Sequence, residues 1–411
     1  MSVELENHLR PWTAVLTRGF DPRLSVGSAR PAVFRSSTYV FATPEEAERA
    51  FDIVGGRAPA APHERAELIY SRISHPNAEI LEDQMVPLEA EATEAAVFNS
   101  GMAAIMTAFF TFARPGTTMI YTMPLYGGTT KLIHAFLQPF GVETVAVMAG
   151  DGDGLDQAIA AARAPSIVFI ETPANPHLRM TDIARAVEAA RRHPARPLVM
   201  VDNTFLGPVF QHPLKLGADL VLYSATKHLS GFSDMIAGAA LARDPALIQQ
   251  LRSYRVLFGN ILQPDECWML DGRLPTVSLR MNRQSKNAQR LAERLHGHPK
   301  ILRVIYPTLF QDPEQIRIFL RQCDFPGAVF SLELAGGKPA AFDFLRRLKI
   351  ARLAVSLGGV ETLACHPKTT THSSDTAEEM EQFAITDGLV RISVGVEDWE
   401  DLLEDFLQAL G

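Results

Sequence analysis

Between residues 94 and 241 the chain alternates short apolar runs with longer stretches of helical apolar spacing. The short runs are typical of buried strands, and the longer stretches are typical of helices that cover a sheet. Strands that alternate with helices indicate an α/β fold with a mostly parallel sheet. The predicted strands span 118–121, 143–147, 166–171, 198–202 and 219–223, and the clearest helices span 101–112 and 182–192.

The pattern changes after Pro264. From there a helical stretch over 280–294 leads into strands predicted at 302–305, 327–334 and 389–394 and helices predicted at 338–348 and 399–410. We therefore predict three parts. They are an irregular, proline-rich N-terminal arm over 1–65, a large α/β domain over 66–264 and a smaller α+β domain over 265–411.

The composition indicates an ordinary globular protein, since the 411 residues are 47% hydrophobic and 21% charged. The net charge is −8 and no block of basic residues occurs, so nucleic-acid binding is not expected. Because Glu4 and Glu6 precede any apolar run and no long apolar stretch follows, we expect neither a signal peptide nor a membrane span. The widely spaced cysteines predict free thiols in the cytoplasm and no metal site; they are Cys267, Cys323 and Cys365.

Lys227 has the most informative surroundings. It follows a predicted strand, with the hydroxyl residues Ser224 and Thr226 just before it, and Asp202 ends the preceding predicted strand. Reactive groups of parallel sheets collect beyond the carboxyl ends of the strands, so Lys227, Asp202 and the strand-end Glu171 should converge. A lysine, hydroxyls and a strand-end acid are the parts of a pyridoxal phosphate (PLP) site. The amine forms a Schiff base, the hydroxyls bind the phosphate, and the carboxylate keeps the pyridine nitrogen protonated.

Two further segments have both a phosphate-binding interpretation and an ordinary one. Gly101 and Met102 follow Ser100 at a strand-to-helix turn, where free backbone N–H groups suit a phosphate, although a capped helix start explains the same residues. Tyr70 and Arg72 stand two residues apart in a segment expected to be extended. That spacing puts both side chains on one face, where they could bind a single phosphate. The alternative interpretation is a surface tyrosine and a solvated arginine.

Three more residues leave alternatives open. Tyr126 precedes two glycines and suits either stacking on a flat ring or a simple glycine turn. Asn175 lies in a proline-bracketed loop that either presents a donor to a phenolate oxygen or merely connects two elements. Arg391 lies within an apolar strand, where it is costly unless paired with a carboxylate of the protein or of a ligand.

Taken together, these segments resemble the cysteine/methionine-metabolism family of PLP enzymes. This family includes cystathionine γ-synthase, cystathionine γ- and β-lyases, methionine γ-lyase and O-acylhomoserine sulfhydrylases. The resemblance runs from about Thr17 to Leu410, in the family's order, and implies PLP fold type I, the aspartate-aminotransferase-like architecture. The motifs are Tyr70-Ser71-Arg72, Ser100-Gly101-Met102, Tyr126-Gly127-Gly128-Thr129, Glu171-Thr172-Pro173-Ala174-Asn175-Pro176, Val201-Asp202-Asn203-Thr204, Ser224-Ala225-Thr226-Lys227, Ser356-Leu357-Gly358-Gly359 and Arg391-Ile392-Ser393-Val394-Gly395.

The resemblance implies a role for each matched residue. Lys227 would form the Schiff base and move protons along the substrate. Asp202 would pair with the pyridinium nitrogen. Tyr126 would stack on the ring and act as the acid or base at the leaving group. Cofactor binding would also involve Gly101, Met102, Thr204, Ser224 and Thr226. Tyr70 and Arg72 would reach the phosphate of a neighbouring subunit in a homotetramer, a dimer of dimers with shared sites. Arg391, Ser356 and Asn175 would bind the α-carboxylate of an amino-acid substrate.

The chain also departs from its relatives around the substrate. Val355 stands where enzymes of cystathionine usually carry a glutamate, so it argues against that substrate and resembles methionine γ-lyase. Gly128 stands where that enzyme typically has cysteine, and we expect it to leave space beside the leaving group. Phe232 replaces a common histidine, and residues 74–77, with His75, replace the usual asparagine-proline-threonine.

These features predict γ-elimination on a methionine-like or other γ-substituted amino acid, with cleavage of the bond between Cγ and its heteroatom. The alternatives are γ-replacement, as in an O-acylhomoserine sulfhydrylase or a cystathionine γ-synthase, and lysis of an O-linked homoserine-type amino acid such as canavanine.

Overall fold

The computed structural model describes residues 9–61, 68–373 and 375–411. The predicted boundary between residues 65 and 66 lies outside this part, as do Glu4 and Glu6. The arm is less irregular than expected, because it contains helices α1 (Pro11–Ala14) and α2 (Pro44–Val54). Thr43 caps α2. Pro44, one of the prolines behind the prediction of an irregular arm, occupies the first helical position, where its missing N–H costs nothing.

The large sheet has seven strands in the order β1-β7-β6-β5-β4-β2-β3. All neighbours pair in parallel except β7, which runs antiparallel to both β1 and β6. The mostly parallel sheet predicted from the sequence is therefore confirmed. Its strands are β1 (Glu94–Phe98), β2 (Thr118–Met123), β3 (Glu143–Met148), β4 (Pro165–Glu171), β5 (Leu198–Asp202), β6 (Leu220–Tyr223) and β7 (Gly238–Ala242).

Helices cover both faces of this sheet, because its central strands are apolar on both sides. Ile167 and Phe169 of β4 belong to one apolar cluster, whereas Val168 and Ile170 belong to the cluster on the opposite face. The helices are α3 (Pro76–Met85), α4 (Gly101–Phe112), α5 (Gly127–Leu132), α6 (Gly152–Ala161), α7 (Ile183–Arg192), α8 (Pro245–Phe258) and α9 (Pro264–Asp271).

A second sheet of five strands, in the order β10-β11-β12-β9-β8, forms from the C-terminal part. Its strands are β8 (Ile301–Ile305), β9 (Val329–Leu334), β10 (Arg352–Leu353), β11 (Leu363–Cys365) and β12 (Leu389–Ser393). Its helices are α10 (Val277–Leu295), α11 (Pro313–Gln322), α12 (Gly337–Arg347), α13 (Ala377–Gln382) and α14 (Trp399–Leu410). The boundary placed between residues 264 and 265 stays a prediction. Within the described ranges, no helix combines the length and apolar character needed to cross a bilayer.

Candidate active site

Three strand ends meet at the carboxyl edge of the large sheet. Glu171 ends β4 and is in register with Asp202, which ends β5. Residues 224–227 follow β6, which pairs with β5, so Lys227 enters the same region. The predicted convergence of Glu171, Asp202 and Lys227 follows from this register, because parallel neighbours present their carboxyl ends at one edge.

The Lys227 amine is held by a residue of the C-terminal part. Its Nζ donates a hydrogen bond to Ser356 Oγ at 2.8 Å. Burial, and then the positive charge of Arg391, lower the pKa of Lys227 to about 8. A sizeable fraction of the amine is therefore neutral near physiological pH, which is the form that attacks a carbonyl group.

Asp202 is a buried acid whose described neighbours include no cationic partner. The Thr204 hydroxyl donates to Asp202 Oδ1 at 2.5 Å, and the Thr204 N–H donates to the same oxygen at 3.0 Å. Burial raises the pKa of Asp202. A carboxyl group in this setting is stabilised as an anion by a cation that arrives with a ligand, and a protonated pyridine nitrogen supplies such a cation.

The start of α4 lies against the loop before Lys227. Ser100 caps this helix by accepting a hydrogen bond from the Ala103 N–H at 3.0 Å, and the N–H groups of Gly101 and Met102 belong to its open first turn. A Cβ on Gly101 would lie 2.8 Å from the Cβ of Ser224, so only glycine permits this approach. The arrangement suits a phosphate between helix and loop.

The remaining loop hydroxyls have protein partners. Thr226 Oγ1 accepts from the Ala237 N–H at 3.0 Å, which ties the loop to the segment that leads into β7. Thr204 Oγ1 accepts from the Ser224 N–H at 2.9 Å while its hydroxyl donates to Asp202. Thr204 thus joins the acid at one end of the site to the loop at the other end.

Arg391 is buried in β12, 3% exposed, and has no carboxylate partner among the described residues. Its Nη1 donates to Asn175 Oδ1 at 3.2 Å and its Nη2 donates to the Ser356 carbonyl at 2.8 Å, whereas its Nε has no partner within the described part of the chain. Of the two interpretations of Arg391, the structure therefore favours a guanidinium that awaits a ligand's carboxylate. Asn175 and Ser356 lie beside it, and their predicted contact with a substrate carboxylate stays a prediction.

Tyr126 and Gly128 form one edge of the site. Tyr126 is 51% exposed, and a Cβ on Gly128 would lie 2.6 Å from a Tyr126 ring carbon and 3.1 Å from Met102 Sδ. A larger residue at position 128 would therefore meet the ring of Tyr126, and the space that we expect beside the leaving group stays a prediction. Val355 is 53% exposed beside Ser356. The ring centre of Phe232 lies 5.0 Å from the guanidinium carbon of Arg273 and 5.5 Å from that of Arg280.

Tyr70 and Arg72 lie close together, but not in an extended segment. The Ile73 N–H donates to the Tyr70 carbonyl at 2.8 Å, so residues 70–73 form a turn, and the Arg72 guanidinium lies 5.5 Å from the Tyr70 ring centre. Both side chains are exposed, and Arg72 Nη1 donates to the Val256 carbonyl at 2.9 Å. Their predicted contact with a neighbouring subunit stays a prediction.

From the sequence we did not single out His372 and assigned no role to Glu171. Burial, followed by the charge of Arg391, lowers the pKa of His372 to about 4, so this buried histidine is neutral beside the guanidinium. Glu171 was recognised as a strand-end acid but received no role, although its Oε2 accepts a hydrogen bond from the Tyr126 N–H at 2.8 Å. Its position at a strand end was the available signal. Nothing in the local sequence distinguishes His372 from a surface residue.

The profile of the Cys/Met metabolism PLP-dependent enzyme family matches residues 12–411. The chain belongs to this family. The L-methionine gamma-lyase of Pseudomonas putida is 39% identical over 400 residues, which cover 97% of this chain and 96% of the relative. The cystathionine beta-lyase MetC of Bacillus subtilis is 40% identical over 341 residues, covering 83% of this chain and 85% of the relative.

Solved structures confirm the predicted fold class of this Cys/Met metabolism PLP-dependent enzyme. The crystal structure of cystathionine gamma synthase from Xanthomonas oryzae pv. oryzae in complex with cystathionine has a TM-score of 0.87 and 34% identity, and the match covers 98% of both chains. PLP is the cofactor of the family. The residues present fit it, because the buried acid Asp202 has no cationic partner among the described residues and an amine with a lowered pKa lies at Lys227.

Proposed function

We propose that this protein catalyses γ-elimination on an amino acid with an uncharged γ-substituent, such as methionine. The observation that carries the proposal is the position of Val355. It directly precedes Ser356, whose hydroxyl accepts a hydrogen bond from Lys227 and whose carbonyl accepts one from Arg391, and it is half exposed, so we propose that it forms an apolar edge at the reacting end of the site. An apolar side chain there does not compensate the desolvation of a second zwitterionic end.

In the proposed reaction, the cofactor and the residues of the site each have a separate role. Bound PLP supplies an electron sink for charge that develops at the substrate Cα. Arg391 binds the α-carboxylate, with its Nε and Nη groups directed by Asn175 and Ser356. Lys227 accepts the Cα proton and is also the base for the proton that leaves Cβ. The Tyr126 hydroxyl donates a proton to the departing heteroatom. One water molecule is consumed, and the products are 2-oxobutanoate, ammonia and the protonated leaving group.

The second candidate function is γ-replacement, in which a thiol or sulfide takes the place of the leaving group. The exposure of Tyr126 and Val355 favours it, because a half-open edge admits a second nucleophile. A cystathionine gamma-synthase of Mycobacterium bovis is 35% identical over 401 residues. Cleavage of an O-linked substrate such as canavanine uses the same groups with oxygen as the leaving atom.

A substrate panel separates these functions. We would offer methionine, O-acetylhomoserine, canavanine and cystathionine, each with and without sulfide or cysteine, and measure 2-oxobutanoate and new thioethers by mass spectrometry. We expect 2-oxobutanoate from an uncharged γ-substituted substrate without added nucleophile, and none from the Lys227→Ala control. Products that form only when a thiol is added would overturn γ-elimination in favour of replacement.

We also propose a homotetramer built from dimers that share their sites. The proposal rests on an exposed apolar surface, which we call the arm patch and which consists of Val40, Tyr70, Leu257 and Phe258. Its parts are adjacent, since Tyr39 and Ile69 are hydrogen-bonded at 3.2 Å and Arg72 reaches Val256. Val40 is 96% exposed and Leu257 is 78% exposed, which is typical of a surface that another copy covers.

A further inference from the structure

Glu171 is a buried acid at the centre of the site, and it lies on the same face of the sheet as Asp202. The two residues are in register at the ends of β4 and β5. Phe169 and Met200, two positions before each of them, pack in one apolar cluster. Because strand side chains alternate, Glu171 and Asp202 follow these residues on the same face. Two carboxyl groups thus lie side by side at the predicted cofactor position.

Glu171 also holds the backbone of Tyr126. Its Oε2 accepts from the Tyr126 N–H at 2.8 Å, and the Asn175 N–H donates to the same carboxyl group. On the other side, the Tyr126 carbonyl accepts from the N–H groups of Thr129 at 2.8 Å and Thr130 at 3.1 Å. The peptide groups on both sides of Tyr126 are therefore fixed, which sets the direction of a ring that is half exposed.

The two neighbouring acids differ in how well each stabilises a negative charge. Burial, followed by the charge of Asp202, raises the pKa of Glu171 to about 8. Each acid accepts two hydrogen bonds, Asp202 from Thr204 and Glu171 from Tyr126 and Asn175, but the charge of the neighbouring acid raises the pKa of Glu171 alone, which leaves Asp202 as the better anion. Glu171 therefore retains a proton near neutral pH. Its Oε1, which has no hydrogen-bond partner within the described ranges, is the oxygen left to carry that proton.

We propose that Glu171 is an uncharged positioning residue that holds Tyr126 over the cofactor through the tyrosine backbone and leaves Asp202 as the single negative charge at the ring nitrogen. An ordinary ionised glutamate would place two negative charges side by side, whereas one positive charge is available on the pyridinium. The proposal rests on the family's cofactor and on the predicted stacking of Tyr126. It does not depend on which γ-substituent leaves.

Two substitutions of Glu171 separate its hydrogen bond from its charge. Glu171→Gln keeps an acceptor oxygen and is uncharged, so we expect unchanged visible circular dichroism of the bound cofactor and a kcat within about threefold of the parent enzyme. Glu171→Ala removes the acceptor. We expect it to weaken the circular dichroism signal and to lower kcat by about 10- to 100-fold, with KM changed less than about threefold.

A second background tests whether Glu171 acts through Tyr126. In a Tyr126→Ala enzyme, Glu171→Ala should cost little further activity, because the ring that it positions is already absent. The matched control is Glu143→Ala, an exposed strand acid, which should leave the cofactor signal unchanged. If Glu171→Ala does not fold, Glu171→Met keeps the volume without an acceptor and takes its place.

Two results would overturn the proposal. One is a Glu171→Gln enzyme with as large a loss of signal and kcat as Glu171→Ala, which would mean that the charge is required. The other is an equal loss from Glu171→Ala with and without Tyr126. Because the circular dichroism is recorded without substrate, failure of the proposed γ-elimination leaves this test intact.

Discussion

Lys227 has a pKa of about 8 because it is buried and because Arg391 lies nearby. Neither cause is visible in the local sequence around the lysine, since Arg391 belongs to a strand of the other sheet. A neutral amine is the reactive form, so the lowered pKa prepares the side chain for bond formation with the cofactor aldehyde.

We predict that the rate at which apoprotein binds PLP covalently rises with pH and levels off above about 8. A lysine with its ordinary pKa would continue to gain rate towards pH 10. Arg391→Gln removes a positive charge, which raises the pKa of Lys227 and shifts the profile to higher pH. Stopped-flow absorbance at several pH values measures the profile. An unshifted profile in Arg391→Gln would contradict the electrostatic part of this account.

Val355→Glu is predicted to move substrate preference towards cystathionine. A carboxylate at this half-exposed position pairs with a distal ammonium group, but solvent screens the pair. We therefore expect the ratio of kcat/KM for cystathionine to that for methionine to rise by about three- to tenfold. Val355→Gln, similar in size and uncharged, is the control. A parent enzyme that prefers cystathionine to every uncharged alternative contradicts our interpretation of this edge.

Among the helices and strands, the best-predicted elements were those whose pattern extends over a full buried face. The helix expected at 101–112 is α4 with the same bounds, and the strands expected at 143–147, 198–202 and 389–394 lie within a residue of β3, β5 and β12. We did not identify β7. It is a short run of alanine, glycine and leucine, which have little preference for strands, and its place is decided by pairing between β1 and β6.

The candidate site could be predicted where chemistry and strand ends coincide in sequence. Lys227 and Asp202 fall into this class, whereas the signal at Arg391 was a charge in the middle of an apolar strand. The contacts that tune them could not be predicted, because they depend on distant partners such as Ser356 at Lys227 and Glu171 at Tyr126. The extended conformation expected around Tyr70 and Arg72 is wrong, because residues 70–73 form a turn.

Acid is predicted to destabilise the fold through two buried histidines on connecting segments. Burial, and then Arg280 and Arg391 respectively, lower the pKa values of His228 and His372 to about 4. Between pH 6.5 and 4 the unfolded chain binds protons that the folded chain does not, so stability falls as pH falls. The maximum slope is about 1.4 kcal/mol per pH unit for each histidine.

Chemical denaturation at pH 7 and pH 5, with saturating PLP, measures this slope. His228→Leu and His372→Gln should each flatten it, whatever their effect at neutral pH. His296→Asn changes an exposed histidine and should leave the slope as it is in the parent protein. Equal slopes in all four proteins would exclude these two histidines as its source.

For the molecule as a whole, the arm patch predicts that activity requires more than one chain. Tyr70 belongs to this surface and Arg72 borders it, so each is in a position to complete a site on the copy that covers it. In that arrangement one chain supplies Lys227 and its neighbour supplies the pair of residues at the phosphate.

Mixing two inactive variants tests this arrangement. Neither Tyr70→Phe/Arg72→Ala nor Lys227→Ala should turn over substrate alone. After unfolding and refolding in equal amounts, random pairing gives about a quarter of the sites both intact halves, so about a quarter of the parent activity should return. Absence of any recovery, or a fully active monomer in light scattering, would contradict shared sites.

The separation of Lys227 from Arg391 along the chain also bears on when the lysine becomes reactive during synthesis. Lys227 leaves the ribosome long before Ser356 and Arg391 have been added to the chain. Until then the lysine lacks the burial and the neighbouring positive charge that lower its pKa in the folded protein, so we expect the nascent chain to carry an ordinary protonated amine. An incomplete chain consequently has no activated lysine with which to sequester aldehydes from the cell, and capture of the cofactor coincides with completion of the fold.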